Sequence, residues 1–187
     1  MTDSKRRRQA KTLRGFRKVH RMTGAFLFAI FFFIAITGLL LGWKKHSGGY
    51  ILADTQKGLS TEPTDWLSVS ELKKSADRIV RDQISPEISL DLDRIDFRPD
   101  KGIVKFIYLE GYWGVQLDAA TGELLLIERR RSDFIEHLHD ASLFDTSFGT
   151  QYGQIKLIYT TVAGLALLTF TITGFWLWYG PKRMRVS

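Results

Sequence analysis

The chain has 187 residues, a formal net charge of +7 and no cysteine. With 44% hydrophobic and 25% charged residues its bulk composition is that of a soluble domain, yet the apolar residues are concentrated in two uninterrupted runs. The missing cysteines exclude disulfides, thiolate nucleophiles and Cys-ligated zinc or iron–sulfur centres.

In chain order, residues 1–21 read as a basic cytoplasmic tail with nine Lys/Arg and one Asp, its first fifteen residues expected to be mobile. Met22–Trp43 is free of charge, as is Leu157–Tyr179. At about 1.5 Å per residue each run can cross a hydrocarbon layer about 30 Å thick, which predicts transmembrane helices at 22–43 and 157–179. Helix one is expected to start near Phe16. Leu41-Gly42-Trp43-Lys44-Lys45 is not a small-residue cleavage site, so the first run reads as a retained anchor. Residues 180–187 form a second short basic tail, and Gly180-Pro181 is expected to stop the second helix. The two ends together carry +11 and the middle −4. That split predicts a multi-pass protein of the inner (plasma) membrane, both termini cytoplasmic and the centre extracytoplasmic. A nucleic-acid partner is excluded, because the basic excess lies beside membrane spans, where topology and anionic lipid explain it.

Between the spans, residues 44–67 read as a connector with breakers at Gly48-Gly49 and Pro63. A compact α+β domain follows at 68–131. Ser68-x-x-Glu71 is a capping box, flanked by Leu67 and Leu72 as a staple. Leu72, Ala76, Ile79 and Val80 give a helix over about 69–82 one apolar face. Arg94-Ile95-Asp96-Phe97-Arg98 alternates as a half-buried strand should. Turns at Pro99–Gly102, Glu110-Gly111 and Asp118–Gly122 divide three further strands, at about 103–109, 113–117 and 123–128. The expectation is one helix on an antiparallel meander, with Trp113, Val115 and Leu117 facing the helix. Residues 132–156 are a short helix, at about 134–144, and a linker.

The two spans echo each other in inverted sense: Ile36-Thr37-Gly38 recurs as Ile172-Thr173-Gly174. Each span carries a small-residue face, with Gly24, Ala35, Gly38 and Gly42 on the first and Thr160, Gly164, Thr171 and Gly174 on the second. Such faces admit either a close helix or a flat cofactor.

Four histidines are present: His20, His46, His137 and His139. No HExxH or G-x-S-x-G occurs, so zincin and nucleophile-elbow chemistry have no support. On a helix His137 and His139 point in nearly opposite directions. His20 belongs to the inner face of the membrane, His46 and His139 to the outer face. Lys156, at the start of the second span, either snorkels or pairs with an acidic group such as that of an acidic substrate.

Arg17-Lys18-Val19-His20-Arg21-Met22-Thr23-Gly24, the hairpin Val115-Gln-Leu-Asp118-Ala-Ala-Thr121-Gly122-Glu-Leu-Leu, and Leu138-His139 followed by Phe148-Gly149 and Ile172-Thr-Gly-Phe-Trp-Leu-Trp occur in that order. In combination they resemble the PepSY-associated transmembrane (PepSY_TM) proteins, in a short two-span form. The resemblance covers roughly residues 16–180. It implies a PepSY-like module between the spans. It further implies haem b on membrane histidines, with His20, His139 and, at the same depth as His139, His46 as candidate iron ligands and Lys156 beside the cofactor. The function it implies is electron transfer assisting iron or siderophore reduction, with a redox partner protein. A homodimer would supply a four-helix host for haem. The competing expectation is a non-enzymatic anchored module that binds or regulates a partner protein or peptidase.

Overall fold

The computed structural model describes residues 3–150 and 153–186. The chain contains α1 (Asp3–Gly42), α2 (Val69–Gln83), β1 (Leu92–Arg98), β2 (Ile103–Tyr108), β3 (Trp113–Asp118), β4 (Leu124–Arg129), α3 (Arg131–His139), α4 (Ser142–Phe148) and α5 (Gln154–Val186). It divides into two compact units. One joins the residues up to Leu39 with those from His137 onward; the other is Leu40–Glu136.

The first unit is built on α1 and α5, each long and apolar enough to cross a membrane. They run antiparallel. Phe16 stacks on Trp176, His20 on Phe170, and Phe31 meets the same Phe170 edge-on. Gly24 lies under the Phe170 ring, where a Cβ would come within 3.0 Å of it. Away from this seam large apolar side chains stand open: Phe26 is 85% exposed and Leu165 61%. Both helices are longer than the apolar runs predict. The basic stretch expected to be mobile is helical from Asp3, because Lys, Arg, Gln, Ala and Leu are good helix formers and Gly15 alone does not interrupt them. Gly180-Pro181 does not end α5, which continues to Val186. Proline removes one N–H, here the donor toward the Leu177 carbonyl, and so close to the end of the helix the remaining turn still forms.

In the second unit the four strands form one antiparallel sheet in the order β1-β2-β3-β4. The Ser68 hydroxyl accepts from the Glu71 N–H while the Glu71 carboxylate accepts from the Ser68 N–H, so α2 starts where the sequence predicts. Its Leu72, Ala76 and Val80 pack against Val104, Phe106, Tyr108, Val115 and Leu117, all buried. Trp113 and Ile79 lie at the margin of this core. Tyr108 donates to Asp77 at 2.8 Å, and burial pushes its phenol well above the usual tyrosine range.

The other face of the sheet is also covered, which an alternating meander does not announce. Lys105, Gln116, Asp118 and Glu128 are all buried. What covers them is part of the segment read as a connector. Gln56 N–H donates to Gln116 Oε1, Gln116 Nε2 to the Asp54 carbonyl, and Lys105 Nζ to Thr55 Oγ1. Leu59 N–H donates to Asp118 Oδ2 at 2.6 Å. A Cβ at Gly58 would fall 2.1 Å from the Gly102 carbonyl oxygen, so glycine is required there for the strap to lie flat. Asp118 also takes the Ala120 and Thr121 N–H groups on Oδ1, and Gly122 completes the hairpin at φ +73°.

The single short helix expected over 134–144 is two helices. Ala141, at φ +63°, separates α3 from α4, and Asp140 Oδ1 accepts the Ser142 N–H to start the second one.

Candidate functional site

The inverted echo in the sequence corresponds to two matching histidine seats in the first unit. On α1, the Thr37 hydroxyl donates back to the Phe33 carbonyl at 2.8 Å. The same hydroxyl oxygen stands 2.8 Å from His139 Nδ1 and holds the ring there by a hydrogen bond. The next residue, Gly38, leaves room for the ring: a Cβ there would stand 3.5 Å from His139 Cε1. On α5, the Thr173 hydroxyl donates to the Thr169 carbonyl at 2.7 Å and faces His20 Nδ1 at 3.0 Å. The Phe170 carbonyl lies 3.2 Å from the same nitrogen. A carbonyl can only accept, so His20 Nδ1 carries the hydrogen. Gly174 gives this ring its space, with a Cβ there only 3.3 Å from His20 Cε1.

Both threonines are 4% exposed, so the hydroxyls are shielded from water while the imidazoles are half-buried. In both seats the ring is held at Nδ1, and for Nε2 no hydrogen bond is found among the described residues. His20 and Thr37 are 17 positions apart on α1, so the two seats are separated by about 25 Å along the helix. Between these levels, α1 and α5 enclose an apolar cavity of about 320 Å³ lined by residues including Leu27, Ile30, Ile158 and Val162. Neither histidine lines it.

The remaining sequence candidates are placed differently. His46 lies in a short turn of helix, exposed, with its ring edge-on to Trp43. His137 is half-buried rather than on the open surface. Lys156 Nζ meets Asp140 Oδ2 at 2.5 Å. Burial would raise the Asp140 carboxyl, but hydrogen bonds from Lys156 and Ser142 outweigh it and hold its pKa below the ordinary value. The start of α5 is fixed by Asp145 of α4, whose carboxylate accepts the Ile155 and Lys156 N–H groups at 2.9 and 2.8 Å and also holds the Thr150 hydroxyl.

Sequence reading singled out His20 and His139 but missed Thr37 and Thr173 as their partners. The available signal was the repeated Ile-Thr-Gly. Among the described residues no group of three or more His, Asp or Glu gathers to chelate a metal ion, so each seat offers a single imidazole ligand. Comparison with family models, curated proteins and solved structures finds no match for this chain.

Proposed function

We propose that the chain is a two-span membrane protein that carries haem b on His20 and His139 and passes electrons between the two faces of the membrane, in support of iron or siderophore reduction. The observation that carries the reading is the duplicated seat. Each imidazole is held at Nδ1 by a buried threonine hydroxyl with Nε2 left for a ligand, the arrangement by which proteins orient histidines that bind a metal. Haem iron needs one or two such axial nitrogens and no chelating cluster. Haem supplies one-electron exchange; the chain's own residues orient the rings and provide apolar walls. Each seat offers one imidazole, so a second copy of the chain supplies the second ligand in a homodimer.

Membrane insertion is supported by the open apolar faces of α1 and α5, which would be a large unfavourable surface in water. The basic flanks favour cytoplasmic termini and an extracytoplasmic sheet unit with PepSY-like order. The test is an absorbance spectrum of the purified protein, expressed with ample haem, before and after dithionite. A sharp Soret band with resolved α and β bands on reduction is expected. Absence of a Soret band refutes the redox reading and leaves the anchored binding module as the function.

A further inference from the structure

The covered polar face of the sheet unit holds a second candidate site, independent of the haem reading. Beside the strap over β2 and β3 lies a cavity of about 430 Å³ whose polar wall is Thr55, Asp96, Arg98, Lys105 and Arg130, a size typical of small-molecule pockets. The pairing register explains the cluster. Asp96 is opposite Lys105 and Arg98 opposite Ile103, so these side chains share one face with Gln116, the next partner of Lys105.

Lys105 is 5% exposed, yet no carboxylate is within hydrogen-bond distance of its ammonium. Thr55 Oγ1 accepts one hydrogen at 2.9 Å, and Glu128 Oε1 stands at 3.8 Å. That same oxygen is shared with Gln116 Nε2 at 2.9 Å and with an Arg130 nitrogen at 3.5 Å. Arg130 spends its other nitrogens on Asp133, at 2.7 and 3.1 Å. Arg98 reaches outward to the exposed Asp100. Thr55 accepts from Lys105 and keeps its own hydroxyl hydrogen to donate. Arg130 is thus paired with Asp133 and Glu128, Arg98 with Asp100, and the one carboxylate of the cavity wall, Asp96, with Arg94 at 3.3 Å, which leaves Lys105 as the cation of the wall with no carboxylate at hydrogen-bond distance and the Thr55 hydroxyl as a donor beside it. Leu52, Ile95 and Phe97 supply apolar wall alongside.

We infer that this cavity binds a small organic oxyanion, a carboxylate or phosphate group on an apolar body, with Lys105 and Thr55 gripping the anionic oxygens and Arg98 at the mouth. A buried ammonium whose one counter-charge, Glu128 Oε1, stands 3.8 Å away and is shared with Gln116 and Arg130 is costly, and an entering oxyanion supplies a closer one. Consistently, burial pulls the Lys105 pKa below the usual lysine range, and Glu128 only partly restores it. The apolar walls favour an organic anion over bare phosphate.

The test uses the full chain in detergent, titrated calorimetrically at constant ionic strength with benzoate, phenyl phosphate, inorganic phosphate and neutral benzyl alcohol. Saturable binding of benzoate or phenyl phosphate, at least tenfold tighter than benzyl alcohol and tighter than inorganic phosphate, is expected. Which of the two binds more tightly separates a carboxylate from a phosphate ligand. Lys105→Met should weaken the anion at least tenfold, with hydrogen exchange of β2 unchanged. If that variant loses the sheet, Arg98→Gln, at the exposed mouth, decides by a two- to fivefold loss. Equal binding of the neutral probe, no binding of either organic anion, or unchanged affinity in a folded Lys105→Met or in Arg98→Gln would overturn the inference.

Discussion

Asp118→Ala tests the claim that one side chain ties the hairpin to the strap. In the native chain the buried Asp118 carboxylate accepts three backbone N–H groups, from Leu59 at 2.6 Å, Ala120 at 2.8 Å and Thr121 at 3.0 Å. Hydrogen bonds to a charged acceptor contribute roughly 1.5–3 kcal/mol each. Leu59 and Thr121 are themselves exposed, so their freed N–H groups can be rehydrated, which removes much of the cost. The net loss is therefore about 2–4 kcal/mol, well below a simple sum. Asp118→Asn keeps one acceptor oxygen and should cost about 1 kcal/mol. The assay is native-state hydrogen exchange on the intact chain, comparing opening free energies of β2 peptides with those of α1 peptides. The β2 amides should lose the stated amount in Asp118→Ala while the α1 amides hold. A change in β2 below about 0.5 kcal/mol, a small fraction of even one such bond, would refute the reasoning.

Other substitutions probe other parts of the account. Val80→Ala, at a side chain with no exposure, should lower the stability of the sheet unit by about 2 kcal/mol, whereas Ile79→Ala at the core margin should cost about 1 or less; the same exchange measurement ranks them. Burial would raise the Asp133 carboxyl, but hydrogen bonds from Arg130 and Arg94 bring its pKa down to about 2. Its stabilising contribution, on the order of 2 kcal/mol, is therefore complete at neutral pH and is lost as pH falls from about 4 through 2. Asp133→Asn should flatten that acid limb in a pH series of unfolding midpoints. Thr37→Val keeps the shape of the threonine but removes the hydroxyl that holds His139 Nδ1. It should weaken haem retention roughly 10- to 100-fold and shift the reduced spectrum, while Gly164→Ala, with open space around it, should change neither.

The parts of the fold legible in the sequence were those with a local physical signature. The charge-free runs, the Ser68–Glu71 box and the β1 segment each depend on near neighbours, and a helix or strand forms where each predicts it; the alternation of burial expected in β1 is not seen, because Phe97 is 45% exposed at this edge strand. The second buried face of the sheet did not announce itself, because Lys105, Gln116 and Glu128 alternate in the strands as solvent-facing residues would. Only the distant strap at residues 54–59 makes them interior, and it lies in a segment that reads as a linker because Gly48-Gly49 and Pro63 flank it. The site shows the same division. His20 and His139 were visible as scarce residues in a resembling order, whereas Thr37 and Thr173 required knowing which helix each ring meets across the chain. The start of α1 and the end of α5 lie beyond the apolar runs because hydropathy reports where a helix is apolar, not where it stops.

We propose His20 and His139 as haem ligands at two separate seats. The most direct measurement is the haem content per chain, by pyridine haemochromogen, of the wild type, His20→Ala, His139→Ala and the double variant, each purified as a folded protein. Each single variant should lose the contribution of its own seat and retain the other, and the double variant should be haem-free. Haem content unchanged by the double substitution, or absent from the wild type, would contradict the proposal.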